Sequence, residues 1–278
     1  MKTCLSIQPQ HAENGRIIHI TDTHLFAQTG NTLMGVNTNA SFQAVIDQIF
    51  ADDSSSNFDL IVATGDFVQD GSEAAYNHFA KSIQDLNLPC VYIPGNHDKF
   101  SIMNRVFSDY GLDESKTVLF GDKWVLILLN SQVEDKAYGF LQKSELDFLD
   151  NTLERFADRK AMIFLHHHPV SINSKWLDEH SLKNSEDLKR VIAKHKNVKS
   201  IGCGHIHQQL DVVWQGCHVF ATPSTCFQFK PASDEFKLDV ITPGWRIINL
   251  NDHENTIDSK VYRLNQNLFL PDTSQNGY

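Results

Sequence analysis

Five short, β-branched-rich apolar runs, each followed closely by a cluster of Asp, Asn or His, constrain this chain more than any other feature. They are residues 16–20 (RIIHI), 60–64 (LIVAT), 91–94, 161–165 and 198–202. Runs this short, stopped by Gly or polar groups, fit strands buried on both faces. Between them, residues 40–50, 72–86, 141–156 and 185–195 repeat apolar positions three and four apart, the period of a helix with one buried face. Strand–helix alternation of this kind predicts a parallel sheet and the α/β class. From residue 210 the pattern changes to closely spaced strands, at 210–214, 218–221, 238–241 and 245–250, which predicts a second, largely antiparallel sheet.

A chain of 278 residues suits one layered domain over 1–278, with ends expected to fray at about 1–14 and 271–278, and with residues 54–56 as a polar loop. The net charge of −10 lacks the basic surface that nucleic acid demands. An anionic substrate would therefore need a small local source of positive charge, and bound cations supply one. Cys4, Cys90, Cys203, Cys217 and Cys226 are odd in number and form no Cys-x-x-Cys pair, which suits a reducing cytoplasm better than a disulfide framework. No signal-peptide-like segment and no stretch near the ~20 apolar residues of a membrane span is present, so a cytoplasmic location without a membrane partner is expected.

The clusters are Asp22-Thr23-His24, Gly65-Asp66, Gly95-Asn96-His97-Asp98, His166-His167-His168-Pro169 and Gly204-His205-Ile206-His207. Carboxyl ends of strands in open α/β sheets form the crevice where loops from distant parts of a chain meet a ligand. Oxygen and imidazole donors together suit borderline divalent metals such as manganese, iron, zinc or cobalt. Residues two apart on a strand share a face, so Asp22 with His24, and His205 with His207, are expected to project together. A carboxylate such as Asp66 can span two cations ~3.5–4 Å apart, the separation used in two-metal phosphoryl chemistry. Alone, each motif is weak, since a lone buried His is more often just hydrogen-bonded. Five in order, each after a predicted strand, form a specific signal.

These motifs, D-x-H, G-D, G-N-H-D, a His with a nearby Pro, and G-H-x-H, resemble the calcineurin-like metallophosphoesterases. From about Arg16 onward the chain is similar, within that family, to the class III cyclic nucleotide phosphodiesterases, with TDTHLFAQ, GVNT, ATPSTCFQFKP and TPGWR narrowing the likeness. The resemblance implies a four-layer α/β/β/α sandwich of two mixed sheets. It implies two divalent ions, iron or manganese ahead of zinc or cobalt. Asp22, His24, Asp66 and His207 would hold the first ion, and Asp66, Asn96, His166 and His205 the second, with Asp66 shared.

Of the three consecutive histidines, His166 is taken as the ligand because it directly follows the apolar run. His167 is then expected to point away, and His168 to shape the loop or touch phosphate. The resemblance gives His97 a catalytic role beside Asp66, with Asp98 orienting its ring, and sets His24, Asn96, His97 and His207 against the substrate. The implied reaction is hydrolysis of the small molecule 3',5'-cyclic AMP to 5'-AMP by a metal-bridging hydroxide, in a monomer or homodimer. The alternative is another phosphodiester or a phosphomonoester, such as a 2',3'-cyclic nucleotide or a glycerophosphodiester. Base contacts would lie in loops around Phe26, Trp176 or residues 227–229.

Overall fold

A computed structural model of the chain describes residues 4–11, 14–51, 57–251, 256–265, 267–275 and 277; the loop at 54–56 lies outside them. The smaller sheet runs in the order β14 (Thr256–Arg263), β13 (Gly244–Asn251), β2 (Asn14–Ile20), β3 (Leu60–Ala63) and β4 (Cys90–Tyr92). The larger runs β1 (Leu5–Ile7), β5 (Thr117–Phe120), β6 (Trp124–Leu128), β7 (Lys160–Phe164), β8 (Val198–Cys203), β10 (Cys217–Ala221) and β9 (Leu210–Trp214). Both are mixed: β2, β3 and β4 are parallel while β13 is antiparallel to β2, and β6, β7, β8 and β10 are parallel while β9 is antiparallel to β10.

The period-2 alternation of strand side chains splits each apolar run between two cores. In β6, Val125 and Ile127 join the core beneath the helices α4 (Lys143–Arg155) and α6 (Ser185–Ile192), whereas Trp124, Leu126 and Leu128 pack into the space between the sheets. In β3, Leu60 and Val62 face that same inter-sheet core, while Ile61 and Ala63 meet α1 (Thr38–Ile49), α2 (Glu73–Gln84) and α3 (Phe100–Asp109). The layers are therefore helix, sheet, sheet, helix, as the resemblance implied. Asn37 and Ser72 cap α1 and α2 by accepting from the amides of Ala40 and Ala75.

Three expectations give way. Residues after 210 do not gather into one sheet of their own; only Gln228–Phe229 and Leu238–Asp239 pair separately, as a short antiparallel ribbon. β9 and β10 extend the larger sheet, while β13 returns to lie against β2, because the open edge of β2 offers a full ladder from Asn14 to His19. Leu5–Ile7, in the stretch expected to fray, pairs in parallel with β5. The amphipathic α3 and the β5–β6 hairpin were not anticipated. Among the described residues no helix is long and apolar enough to cross a membrane.

One ion pair stitches the sheets together. Arg246 on β13 is 1% exposed and reaches Asp211 on β9 through two contacts of 2.9 and 3.0 Å, and its two terminal nitrogens also donate to Ser259 Oγ and to the carbonyls of Leu210 and Ala221. Removing one partner of a buried pair strands the other charge. Because Asp211 is about a third exposed, Asp211→Asn is expected to cost about 2 kcal/mol, a fall of ~4–8 °C in thermal midpoint, measurable by calorimetry. An unchanged midpoint would mean that Arg246 contributes packing alone.

Candidate metal centre

Five loops at the carboxyl ends of β2, β3, β4, β7 and β8 meet at one end of the sandwich. Backbone contacts set their spacing: Asp22 N donates to Gly65 O and His24 N to Asp66 O, both at 3.0 Å, while Gly204 N donates to His166 O at 3.1 Å. Gly65 and Gly95 pack backbone on backbone. A Cβ on Gly65 would lie 2.3 Å from Gly95 N, and one on Gly95 would lie 2.1 Å from Asp66 Oδ1. Only glycines let the tips of β3 and β4 close this far, which brings Asp66 beside Asn96.

Asp22, His24, Asp66, His205 and His207 all adopt left-handed backbone conformations, with φ of 54°, 46°, 52°, 69° and 47°. This overturns the reason expected for the paired projection of Asp22 with His24 and of His205 with His207. Both pairs lie beyond the strand ends, so their common direction comes from strained loop turns and not from strand alternation. Left-handed non-Gly residues cost of order 1–3 kcal/mol each and collect at functional sites. No sequence motif announces them.

All seven candidate ligands meet there. Donor atoms of Asp22, His24 and His207 lie within 4.8 Å of one another, as do those of Asp22, Asp66 and His166. Hydrogen bonds fix which imidazole nitrogen faces inward. His166 Nδ1 donates to Thr64 O at 2.6 Å, His207 Nδ1 to Phe227 O at 2.9 Å and His24 Nδ1 to Gln69 Oε1 at 2.8 Å. Each Nε2 is then left with a lone pair. Yet His24 Nε2 and His207 Nε2 are 3.2 Å apart, and His166 Nε2 faces Asp66 Oδ2 and Asn96 Oδ1, each at 3.2 Å.

Acceptors pressed against acceptors need a cation among them. Titration directions express the same demand. Burial disfavours a charged His166, but Asp66 and Asp22 outweigh it and raise the ring to about 9. Burial likewise works against the ionised Asp66, but His166 and His97 prevail and hold its carboxyl well below the usual range. His205 adds a buried Nε2 with no hydrogen-bond partner among the described residues, while its amide donates to both oxygens of Asp22 at 3.2 and 3.0 Å. The donor set fits divalent ions.

His167 does not point away. Its ring lies 4.9 Å from His166 and 4.7 Å from His205, held by Ser131 Oγ at 2.8 Å, because the small Gly139 leaves the imidazole room to turn inward. His168 faces Asp178 at 3.6 Å, which ties its loop to the short helix α5 (Lys175–Asp178). His97 packs edge-on against His24 at 4.9 Å, half-buried at the rim, and its amide donates to Asp66 Oδ1 at 2.8 Å.

Asp98 is tied to the loop backbone. Its carboxylate accepts from the amides of Phe67 and Gly95 and from the Tyr76 hydroxyl, so it fixes the loop backbone. Gln132 closes that loop from outside by donating to Gly95 O and Asp98 O at 2.7 and 2.6 Å. Gln69, Ser131 and Gln132 belong to no motif and were not foreseen; only the fold brings them here.

Residues 15–209 match the calcineurin-like phosphoesterase family. Over all 278 residues, covering both chains completely, the chain is 45% identical to the Escherichia coli (strain K12) 3',5'-cyclic adenosine monophosphate phosphodiesterase CpdA. It is 41% identical, over 95% of each chain, to the Haemophilus influenzae protein of that name. A dimetal phosphatase from Danio rerio shares the fold, with a TM-score of 0.60 and 13% identity over 90% of this chain and 99% of the other. Kinship along this much of the sequence leaves one conclusion: the chain belongs to the calcineurin-like phosphoesterase family, whose members work with divalent metal ions.

Proposed function

We propose that the protein hydrolyses 3',5'-cyclic AMP to 5'-AMP at this centre. The observation that carries the reading is 45% identity along the entire length to a phosphodiesterase named for that substrate. Asp22, His24, Asp66 and His207 would hold one ion, and Asp66, Asn96, His166 and His205 the other, with iron or manganese as the occupants. The position of Asp66 supports a shared role: its Oδ2 lies 3.9 Å from His24 Nε2 and 3.2 Å from His166 Nε2.

When bound, the ions supply Lewis acidity, which lowers the pKa of water toward ~7 and neutralises phosphate charge. The chain does the rest. Gln69, Thr64 O and Phe227 O lock three imidazoles in the tautomer that presents Nε2, so no reorganisation accompanies the reaction. Asp98 and Gln132 hold the loop that carries Asn96 and His97 against the phosphate. His97, at the rim, would stabilise the phosphate and protonate the departing ribose 3'-oxygen. His24, Asn96 and His207 complete the wall that the phosphate meets.

The test is metal analysis of the purified protein together with chromatography of its products before and after chelation. Cyclic AMP should give 5'-AMP alone, and chelation should remove at least about 10²-fold of the rate, restored by manganese or iron. Chelator-resistant turnover would overturn the metal mechanism. Exclusive release of 3'-AMP would overturn the assignment of the 3'-oxygen as leaving group, and preference for a phosphomonoester would overturn the substrate assignment, each leaving the centre intact.

A further inference from the structure

A cavity of about 250 Å³ opens beside Asn96 and His97, walled by Trp176, His180, Phe229 and Phe236. Trp176 comes from α5, Phe229 from the short strand β11 (Gln228–Phe229) and Phe236 from the segment before β12 (Leu238–Asp239). The rings brace one another edge to face: Trp176 lies 4.9 Å from Phe229 and 5.3 Å from Phe236. Phe229 in turn stacks on His207 at 4.4 Å and 25°, so the aromatic wall is continuous with the donor cluster. No Lys, Arg, Asp or Glu lines the cavity among the described residues.

An uncharged aromatic box beside a phosphate-binding centre suits a flat, neutral, heteroaromatic group. A second phosphate would find no cation there. Trp176 and Phe236 are only half-buried, and the indole N–H of Trp176 has no hydrogen-bond partner among the described residues, so packing alone holds that ring and its face can be offered to a ligand. Stacking a base on an aromatic ring is worth ~1–3 kcal/mol.

We propose that this cavity is the base subsite, and that Trp176 and Phe236 hold the adenine while the phosphodiester lies against Asn96 and His97. The assignment rests on the cyclic AMP reading and extends it to the residues that choose the base. It is tested by comparing kcat/KM for cyclic AMP with kcat/KM for ribose 3',5'-cyclic phosphate, which carries the same diester without a base. In Trp176→Ala the ratio of the two should fall roughly tenfold, through KM for cyclic AMP, and Trp176→Phe should recover most of it. Phe236→Ala, measured in the same way, covers the case in which Trp176→Ala fails to fold. A ratio unchanged in these variants, or an equal loss on both substrates, overturns the subsite alone. A wild-type protein that turns over neither substrate overturns the cyclic AMP reading, and the subsite with it.

Discussion

Asp66→Ala is expected to leave a folded protein that no longer retains its metal ions and turns over cyclic AMP at least about 10³-fold more slowly, a loss of ~4 kcal/mol. The side chain is 1% exposed and stands between the two histidine groups, with Oδ1 accepting the His97 amide at 2.8 Å. Its loss removes one donor from both proposed sites at once. Nothing nearby replaces it, because Asp22 is engaged by the His205 amide and the Thr21 hydroxyl. Metal content by mass spectrometry and steady-state rates on the same preparation provide the check. His97→Ala offers the contrast: it should keep its metal and lose rate. Near-native turnover in Asp66→Ala would refute the shared position.

Gly95→Ala should be among the most damaging conservative changes in the molecule. The added methyl would sit 2.1 Å from Asp66 Oδ1 and 2.4 Å from Asp66 N, and a backbone amide cannot rotate out of the way as a side chain can. The β3 and β4 tips must part, carrying Asp66 away from Asn96. A displacement near 1 Å at a reacting centre costs roughly 10²-fold in rate, and forced overpacking adds ~1–3 kcal/mol of destabilisation. Turnover and thermal midpoint should fall together. A variant with native kinetics would show that the tips have slack.

The sequence made the central parallel strands legible because each is apolar on both faces and stops at once at polar residues. LIVAT at 60–64 is the clearest case, divided in the structure between two cores. Partner choice was not legible. GWRIINL, which forms β13, reads as any strand does, and only the unfilled edge of β2 decides where it lies. The ligands themselves were read from their order along the chain, but the local reason offered for Asp22 and His24 was wrong, since a left-handed turn and a strand can both bring residues two apart to one side. Gln69 and Gln132 carried no signal at all, as an amide that orients a neighbour looks in sequence like any surface glutamine.

The two sheets contribute unequal parts to the centre. Asp22, His24, Asp66 and Asn96 follow strands of the smaller sheet, whereas His166, His205 and His207 follow strands of the larger. Each proposed ligand set draws on both, so neither set would be complete in one half of the sandwich alone. Ions held by these two sets would act as a clasp across the seam, resisting any motion that slides one sheet past the other.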